Sequence, residues 1–559
     1  MMRVVGSVFL CLYYVHNFMG TGSYCNSMIS LRDALRSGCA SIKVINMLHF
    51  TFKQVHFASH VKSVRLSSKL KTSNSDHNTC SEKDIAMNFE EIPGPTSYPL
   101  IGTLHKYVPF FGEYNAEALD KNAWLNWRRY GSLARENPGV RLLHVFDPED
   151  IETVFRQDHR YPARRSHVAM LHYRLSKPNV YNTGGLLSTN GPEWWRLRST
   201  LQKNFTSPQS VKSHISSTDI VVQEFLEWIK KRNVSHHEDF LPYLNRLNLE
   251  VIGTVAFNER FHGFSEQEQD RKSRSSKIIE AAFGSNSGIM KLDKGFLWRL
   301  FKTPLYRKLV NSQEYLEKVS WNILLERANL FVSDKDNDNS LLASFLKQSN
   351  LDLKDILGMM VDILMAAIDT TSYATSFALY HISRNPEVQK KIFYEIFEHL
   401  PTKDTKITAE MLSKLAYTKS CIKESLRLNP VSIGVGRLTQ KEFILRGYLI
   451  PEGTVIVTQN MIACRLPHYV SDPLVFKPER WLRGSEGYEN LHPFLSLPFG
   501  FGPRSCIARR LAEQNMCITI VRLIREFQID WKGGELGIRT LLINKPDKPV
   551  SLSFTSRKE

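Results

Sequence analysis

Hydrophobic positions recur with helical spacing over most of the chain. From a stiff Pro/Gly hinge at 92–95 to about residue 430 the pattern is mainly helical, with polar breaks at 265–276 and 334–340. Strand-like patterns follow at 443–450, 455–457 and 541–554, separated by turn residues. We see no internal repeat. The pattern predicts one large, mainly α domain with small β-sheets.

Composition narrows the class of protein. The 559 residues are 42% hydrophobic and 11% aromatic, which is enough apolar material for a large core. After residue 20 no uninterrupted apolar run reaches the length of a bilayer-spanning helix, so we expect the body not to span a membrane. The eight cysteines show no paired spacing and no CxxC, which indicates reduced thiols rather than a secreted disulfide scaffold.

The net charge of +17 is divided between a leader and the body. Residues 1–80 are rich in Ser, Lys and Arg and hold only Asp33 and Asp76 as acids, which is typical of a mitochondrial presequence. The apolar run 4–14 would also suit a signal anchor for the endoplasmic reticulum, although it is shorter than a membrane span. We expect a presequence and flexible leader over 1–80 and a folded domain over 81–559. Nothing resembles a nucleic-acid module, so the positive surface favours anionic lipid or an acidic protein as partner.

The most specific motif lies near the C-terminus, where residues 499–510 read FGFGPRSCIARR. One reading of Cys506 is a buried free cysteine in a glycine-rich turn. The other is a thiolate, which backbone N–H groups and the positive end of the following helix favour. A thiolate is the proximal ligand that haem iron needs to cleave O–O bonds.

The pattern Phe-x-x-Gly-x-Arg-x-Cys-x-(Gly/Ala) resembles the haem-binding loop of cytochromes P450. The resemblance covers about residues 90–556. It implies the P450 fold, with haem b (iron protoporphyrin IX) lying between a long central helix and the cysteine loop. It also implies that the Cys506 thiolate is the axial ligand of the iron.

A second motif places Glu424 and Arg427 at i and i+3, neighbours on one helical face. By itself such a pair is ordinary on a solvated helix. Downstream, residues 476–481 read FKPERW and supply a further arginine, Arg480. In cytochromes P450 an ExxR pair and a loop arginine form a buried three-way network. The resemblance implies the same network here.

A third motif lies on a long apolar helix predicted over about 355–385, with Asp352 as its N-cap. Its centre carries Asp369 and Thr370, although a buried Asp is costly and Thr lowers helix propensity. One reading is a Thr bonded back to its own helix beside a surface Asp. The resemblance implies instead the oxygen-activating helix, with Thr370 and Asp369 as catalytic residues that supply protons. The family usually has Gly where this chain has Ala367, whose methyl group narrows the oxygen groove.

Buried haem carboxylates need charged partners. Residues 191–198 read GPEWWRLR and resemble the WxxxR helix of the family, although an arginine beside tryptophan is often a surface cation–π contact. Two more arginines stand at family positions, one after the ExxR helix and one just before the cysteine. The resemblance implies that haem is bound by Trp194, Arg198, Arg437, Arg504 and Phe499.

Four basic residues indicate how electrons arrive. Lys419 and Lys423 share a helix face, and Arg509 and Arg510 follow the cysteine. By themselves they are ordinary solvated charge, but in mitochondrial P450s this combination docks an acidic ferredoxin. The resemblance implies an adrenodoxin-like ferredoxin with its reductase. It also implies a peripheral contact on the matrix side of the mitochondrial inner membrane, with the endoplasmic reticulum membrane as the alternative.

Within the family the chain is similar to arthropod ecdysteroid 22-hydroxylases. The similarity lies in residues 369–373, 380–386, 506–516 and 541–546. It implies that the enzyme uses O2 to hydroxylate a steroid, 2,22-dideoxyecdysone, to 2-deoxyecdysone, with substrate contacts in 165–190, 260–300 and 363–367. The alternatives are another sterol position, a xenobiotic, or a haem or steroid binding protein without turnover.

Overall fold

A computed structural model describes residues 85–557 apart from 109, 235–236, 296 and 334–337. The predicted presequence and leader, residues 1–80, lie outside the described residues. Residues Ala86–Glu559 form one compact unit.

Helices dominate the described chain, as the hydrophobic periodicity predicts. In chain order the α-helices are α1 Leu119–Tyr130, α2 Pro148–Arg156, α3 Val168–Leu175, α4 Gly185–Ser188, α5 Gly191–Thr206, α6 Pro208–Ser213, α7 Ile215–Arg232, α8 Leu241–Phe257, α9 Arg274–Lys294, α10 Leu297–Leu300, α11 Pro304–Ser333, α12 Leu341–Leu346, α13 Leu353–Ser383, α14 Pro386–His399, α15 Ala409–Lys414, α16 Ala416–Leu428, α17 Asn460–Ala463 and α18 Arg509–Glu526.

The strands are short. They are β1 Leu133–Glu136, β2 Leu142–Val145, β3 Gly436–Leu438, β4 Phe443–Leu445, β5 Tyr448–Ile450, β6 Val455–Thr458, β7 Phe527–Trp531, β8 Ile538–Thr540, β9 Asn544–Pro546 and β10 Leu552–Ser556. The largest sheet has the order β1-β2-β6-β3, and the pairs β4-β5, β8-β9 and β7-β10 form separate two-stranded sheets.

The sequence pattern missed β1 and β2, because the chain before residue 430 was predicted to be mainly helical. Each strand has only four residues, too few for alternation to be distinguished from a short helical stretch. β2 pairs in parallel with β6, more than three hundred residues later. This long-range pairing, rather than local propensity, determines their structure.

α13 is the central helix and packs against α8, α9, α11 and α16. The side chain of Asp352 accepts a hydrogen bond from the backbone N–H of Asp355 at 2.9 Å, so the predicted N-cap is confirmed. Within the described residues, α13 is long and apolar enough to cross a membrane, but most of it is buried inside the protein. The sequence showed no uninterrupted apolar run of this length in α13, because Asp362 and Asp369 interrupt it. Its burial is that of a core helix.

Candidate active site

The cysteine loop is closed by its own backbone. The N–H of Cys506 donates to the carbonyl of Phe499 at 2.8 Å. Gly500 and Gly502 have φ of 75° and 65°, a left-handed conformation that side chains rarely adopt, so glycine is required at both positions. The Phe499 ring lies 5.5 Å from the guanidinium carbon of Arg509, at the start of α18. The repeated Phe-Gly pattern therefore produces a tight turn that presents the cysteine just before a helix.

Cys506 has accessible side-chain surface although protein atoms surround it. The thiol therefore lines an internal cleft. Burial raises the pKa of the Cys506 thiol, while the backbone N–H of Ala508 and the charge of Arg198 act in the opposite direction. The predicted backbone contribution toward the thiolate is therefore present, and desolvation of the thiol outweighs it. A bound metal ion would ionise such a thiol outright.

Arg504 and Arg198 hold the cysteine loop against its neighbours. The Arg504 guanidinium carbon lies 3.9 Å from the centre of the buried Trp194 ring. Its nitrogens donate to the carbonyls of Pro162 at 2.8 Å and Thr189 at 2.7 Å. Arg198, one turn after Trp194 on α5, donates to the carbonyl of Ser505 at 2.8 Å. The structure thus brings both predicted residues of the WxxxR helix to the cysteine loop.

Arg437, on β3, reaches the same region. It forms an ion pair of 2.8 Å with Asp158 and donates to the carbonyl of Phe501 at 3.0 Å. A fourth arginine, Arg164, was missed by the sequence reasoning and donates to the carbonyl of Leu187 at 2.7 Å. The available signal was an Arg-Arg pair after a proline, with no motif spacing around it.

We call Arg164, Arg198, Arg437 and Arg504 the arginine group. Among the described residues, Asp158 is the one carboxylate within salt-bridge distance of its members. Burial, followed by repulsion from Arg164, Arg437 and Arg198, lowers the pKa of Arg504 to about 8. Burial and the charge of Arg437 lower the pKa of Arg164 to about 10. The arginine group therefore carries more positive charge than its protein surroundings neutralise.

The central helix α13 presents a narrow accessible face. Between Asp355 and Tyr380 every residue is buried except Ala366, Ala367, Thr370 and Thr371, which are partly exposed. Positions i, i+1, i+4 and i+5 lie on one side of a helix. A helix surrounded by core that is accessible on one such face borders an internal cleft there.

The two predicted catalytic residues differ in environment. The Thr370 hydroxyl donates to the carbonyl of Ala366 at 2.7 Å, so the back-bonded threonine of the alternative reading is present. Asp369 is only 1% exposed, so it is not the surface Asp of that alternative reading. Its Oδ2 accepts a hydrogen bond of 3.2 Å from the Asn286 side chain of α9. Burial raises the pKa of Asp369 to about 6, and Asn286 and Lys545 partly oppose that effect.

The predicted three-way network is confirmed, and we call it the Glu424 network. Glu424 accepts hydrogen bonds from Arg427 at 2.8 and 2.9 Å and from Arg480 at 2.9 Å, and all three side chains are fully buried. Trp481 donates to the second carboxylate oxygen at 2.9 Å. Burial alone would raise the pKa of Glu424, but the two arginines outweigh it and hold that pKa below its ordinary value.

The four predicted docking residues lie on α16 and α18, which contact each other. Lys423 is exposed and Lys419 is half-buried, with its charge close enough to act on Cys517 of α18. Arg509 and Arg510 are exposed at the start of α18. The residues therefore occupy adjoining helices rather than separate parts of the molecule.

Comparison with known proteins identifies the family. A cytochrome P450 family model matches residues 92–553. Cytochrome P450 302a1, mitochondrial, of Drosophila melanogaster is 43% identical over 481 residues, which cover 85% of this chain and 97% of the relative. Two further Drosophila melanogaster relatives are probable cytochrome P450 301a1, mitochondrial (29% identical, 86% and 89% covered), and ecdysone 20-monooxygenase (28% identical, 84% and 88% covered). The chain belongs to the cytochrome P450 family, whose members are monooxygenases that bind haem through a cysteine thiolate.

Proposed function

We propose that the protein is a mitochondrial steroid hydroxylase, and that Cys506 is its haem ligand. The surplus positive charge of the arginine group, which contacts the Cys506 loop, is the observation that carries the assignment. Haem bears two carboxylates, and charge-assisted hydrogen bonds from arginine suit them. The residues present therefore fit the cofactor that the family uses. Bound haem would supply dioxygen binding and insertion of one oxygen atom into a C–H bond.

The residues of the chain have separate parts in this reaction. Arg198, Arg437 and Arg504, with Trp194 beside them, hold the haem carboxylates, and the Phe499 loop orients the sulfur. The accessible face of α13 borders the oxygen and substrate side. Asp369, which is buried and has a pKa near neutrality, holds a proton at its carboxyl group, and Thr370 passes protons from its hydroxyl. To do so, the Thr370 hydroxyl turns away from the carbonyl of Ala366.

The substrate we propose is 2,22-dideoxyecdysone, hydroxylated at C22 to 2-deoxyecdysone. The motif similarity to ecdysteroid 22-hydroxylases supports this position, and the relative named ecdysone 20-monooxygenase supports an ecdysteroid as the substrate class. A steroid needs a largely apolar pocket with few polar anchors. The apolar core around α13 provides such walls.

We propose that electrons come from an adrenodoxin-like ferredoxin that docks on Lys419, Lys423, Arg509 and Arg510. Two relatives named mitochondrial and the basic leader support a location on the matrix side of the inner membrane. An acidic ferredoxin would be steered to this basic surface at low ionic strength.

A peripheral membrane contact fits an apolar surface near the end of α9. Phe110, Phe111 and Phe301 are more than half exposed. The ammonium of Lys294, the last residue of α9, lies 4.7 Å from the centre of the Tyr107 ring. The segment that carries Phe110 and Phe111 therefore begins close to the end of α9, which Phe301 follows by seven residues. Basic side chains at Arg299 and Lys302 are exposed beside Phe301 and suit anionic lipid.

Vesicle binding tests this contact. The double variant Phe110→Ser/Phe111→Ser should reduce co-sedimentation with vesicles that contain anionic phospholipid. The control Leu474→Ser, at a residue that is 70% exposed, should not, because Leu474 lies in a different segment of the chain. Equal binding of the two variants would contradict the proposed contact.

Reconstitution tests the function as a whole. The reduced carbon monoxide complex should show the strongly red-shifted band of thiolate-ligated haem. Cys506→Ala should abolish the band, and Cys517→Ala, a buried free cysteine on α18, should keep it. With ferredoxin and its reductase, mass spectrometry should then detect 22-hydroxylated product. A product oxidised elsewhere would identify another sterol hydroxylase, and tight binding without any product would identify a binding protein.

A further inference from the structure

Three buried acids lie on α13 at intervals of seven residues, and they are compensated differently. Asp355 pairs with Arg196 at 2.8 Å, and Asp362 pairs with Arg174 at 2.7 Å. In the described part of the chain, Asp369 has no lysine or arginine within salt-bridge distance. A buried carboxylate without an ion pair is costly. An unpaired acid at this position suits a role that a salt bridge would prevent, such as taking up and releasing a proton.

Asn286 holds Asp369 without neutralising it. The two hydrogens of its side-chain amide go to the carbonyl of Met365 at 2.9 Å and to Oδ2 of Asp369 at 3.2 Å. Because Met365 is one turn before Asp369, the amide bridges consecutive turns of α13 from the facing helix α9. The Asp369 carboxyl group is therefore fixed in orientation while its charge remains uncompensated.

A small cleft adjoins this carboxyl group. Its volume is about 10 Å³, which is close to what one water molecule requires. The walls are Phe283, Asn286, Ser287, Asp369, Tyr373, Leu541, Leu542, Ile543 and Lys545. Lys545 is the one cation in this set. Its ammonium lies 5.4 Å from the Phe283 ring, and its side chain is half-buried, between the cleft and the protein surface.

The electrostatic effects agree with this geometry. The positive charge of Lys545 opposes the increase that burial causes in the pKa of Asp369. Burial and the charge of Arg539 lower the pKa of Lys545 and outweigh the opposing charges of Asp239, Asp369 and Glu117, which makes its ammonium a better proton donor than an exposed lysine. Tyr373, the other titratable group of the cleft, has its pKa raised by burial and by Asp369, so it stays neutral.

We propose that Lys545 and Asn286 are positioning residues for proton delivery, with Lys545 resupplying Asp369 from the protein surface. The Lys545 ammonium releases a proton through water in the cleft to the Asp369 carboxylate, and Lys545 takes a replacement proton from bulk solvent. Asn286 keeps the carboxylate facing the cleft. The proposal rests on the proposed function, because it assigns the source of the protons that Asp369 supplies.

The test compares Lys545→Met with Lys548→Met, an exposed lysine three residues later. In Lys545→Met the rate of product formation should fall about tenfold, below the 10²–10⁴-fold range of a full general acid. Electrons should go to hydrogen peroxide instead of product. Lys548→Met should match the wild type. Equal product and peroxide yields in both variants would overturn the proposal.

A second measurement separates this proposal from the proposed function. Difference infrared titration of the purified holoenzyme should show a carboxylic acid band that Asp369→Asn removes, and its midpoint should move to higher pH in Lys545→Met. This readout needs no turnover, so it holds even if the steroid assignment fails. Lys545→Arg should restore the midpoint of the Asp369 titration, because arginine keeps the positive charge. It should not restore the yield of product per electron, because arginine does not release its proton. Restoration of both would show that Lys545 acts only as a fixed charge and would overturn the resupply step.

Discussion

Two groups of buried arginines differ in how far the protein itself balances their charge. In the Glu424 network, Glu424 accepts hydrogen bonds from two arginines and a tryptophan, and Arg480 also pairs with Glu489, so two cations face two carboxylates. In the arginine group, among the described residues, Arg437 alone forms an ion pair, with Asp158, and Arg164 and Arg504 have strongly lowered pKa values. The first arrangement is complete within the protein. The second gains stability from an anionic ligand, so charge balance distinguishes a structural group from a binding site.

The largest effect is expected when the central carboxylate of the Glu424 network is removed. Glu424→Ala should cost roughly 3–5 kcal/mol of unfolding free energy, because Arg427 would remain buried without a counter-charge and Arg480 would keep only Glu489. Denaturant unfolding measures the loss, and haem content should fall with it. Glu410→Ala, which removes an exposed carboxylate paired with Lys414, should leave both unchanged. Normal stability of the Glu424 variant would show that the network is not essential to the fold.

Asp369 extends the comparison to a buried acid without a cation. Its pKa is about 6 in the folded chain and 3.8 ordinarily, so between these values the folded state binds the proton and the unfolded state does not. Stability should therefore fall by roughly 3 kcal/mol as pH rises from about 4 to 6, and change no further above that. Unfolding of the wild type and Asp369→Asn at several pH values isolates this contribution. Parallel pH curves would contradict it.

The arginine group should respond mainly through its ligand. Arg198→Gln loses one hydrogen bond to the Ser505 carbonyl, worth about 1 kcal/mol in the apoprotein, but also a charge-assisted bond to haem worth about 1.5–3 kcal/mol. Haem transfer to an acceptor apoprotein should thus become about tenfold faster or more. Arg128→Gln, an exposed arginine on α1, is the control. If the Arg198 variant loses apoprotein stability but keeps its haem, Arg198 has a structural role and does not bind the haem carboxylates.

The smallest effect is expected where cations face solvent. Lys419→Glu should slow reduction by a small acidic ferredoxin several-fold at low salt, and the difference should shrink as salt screens the charges. Stopped-flow reduction at two ionic strengths measures this, with Lys272→Glu as an exposed lysine on another segment. A slope with salt that is the same in both variants would exclude docking at Lys419.

The sequence predicted those parts of the site that belong to local motifs. The cysteine loop, the N-cap at Asp352, the Glu424–Arg427 pair and the helix carrying Asp369 could be predicted because each depends on neighbours in the sequence or on a fixed spacing. Arg480 was assigned to the Glu424 network only by resemblance to the family. Arg164, Asn286 and the strands β1 and β2 could not be predicted. Their partners lie on segments far away in the chain, such as Asp369 for Asn286 and β6 for β2. The desolvation that raises the pKa of the Cys506 thiol could not be predicted either, because it depends on the whole surrounding fold.

The seven-residue spacing of Asp355, Asp362 and Asp369 on α13 determines which neighbours each carboxylate meets. Seven residues are close to two full turns, so all three carboxylates point to nearly the same side. One residue inserted between Asp362 and Asp369 would rotate everything downstream by about 100°. The Asp362–Arg174 pair would survive, while Asp369 would leave Asn286 and the cleft. An insertion in this stretch would therefore displace the buried residues 372–380 from their packing as well as separate Asp369 from Asn286 and the cleft.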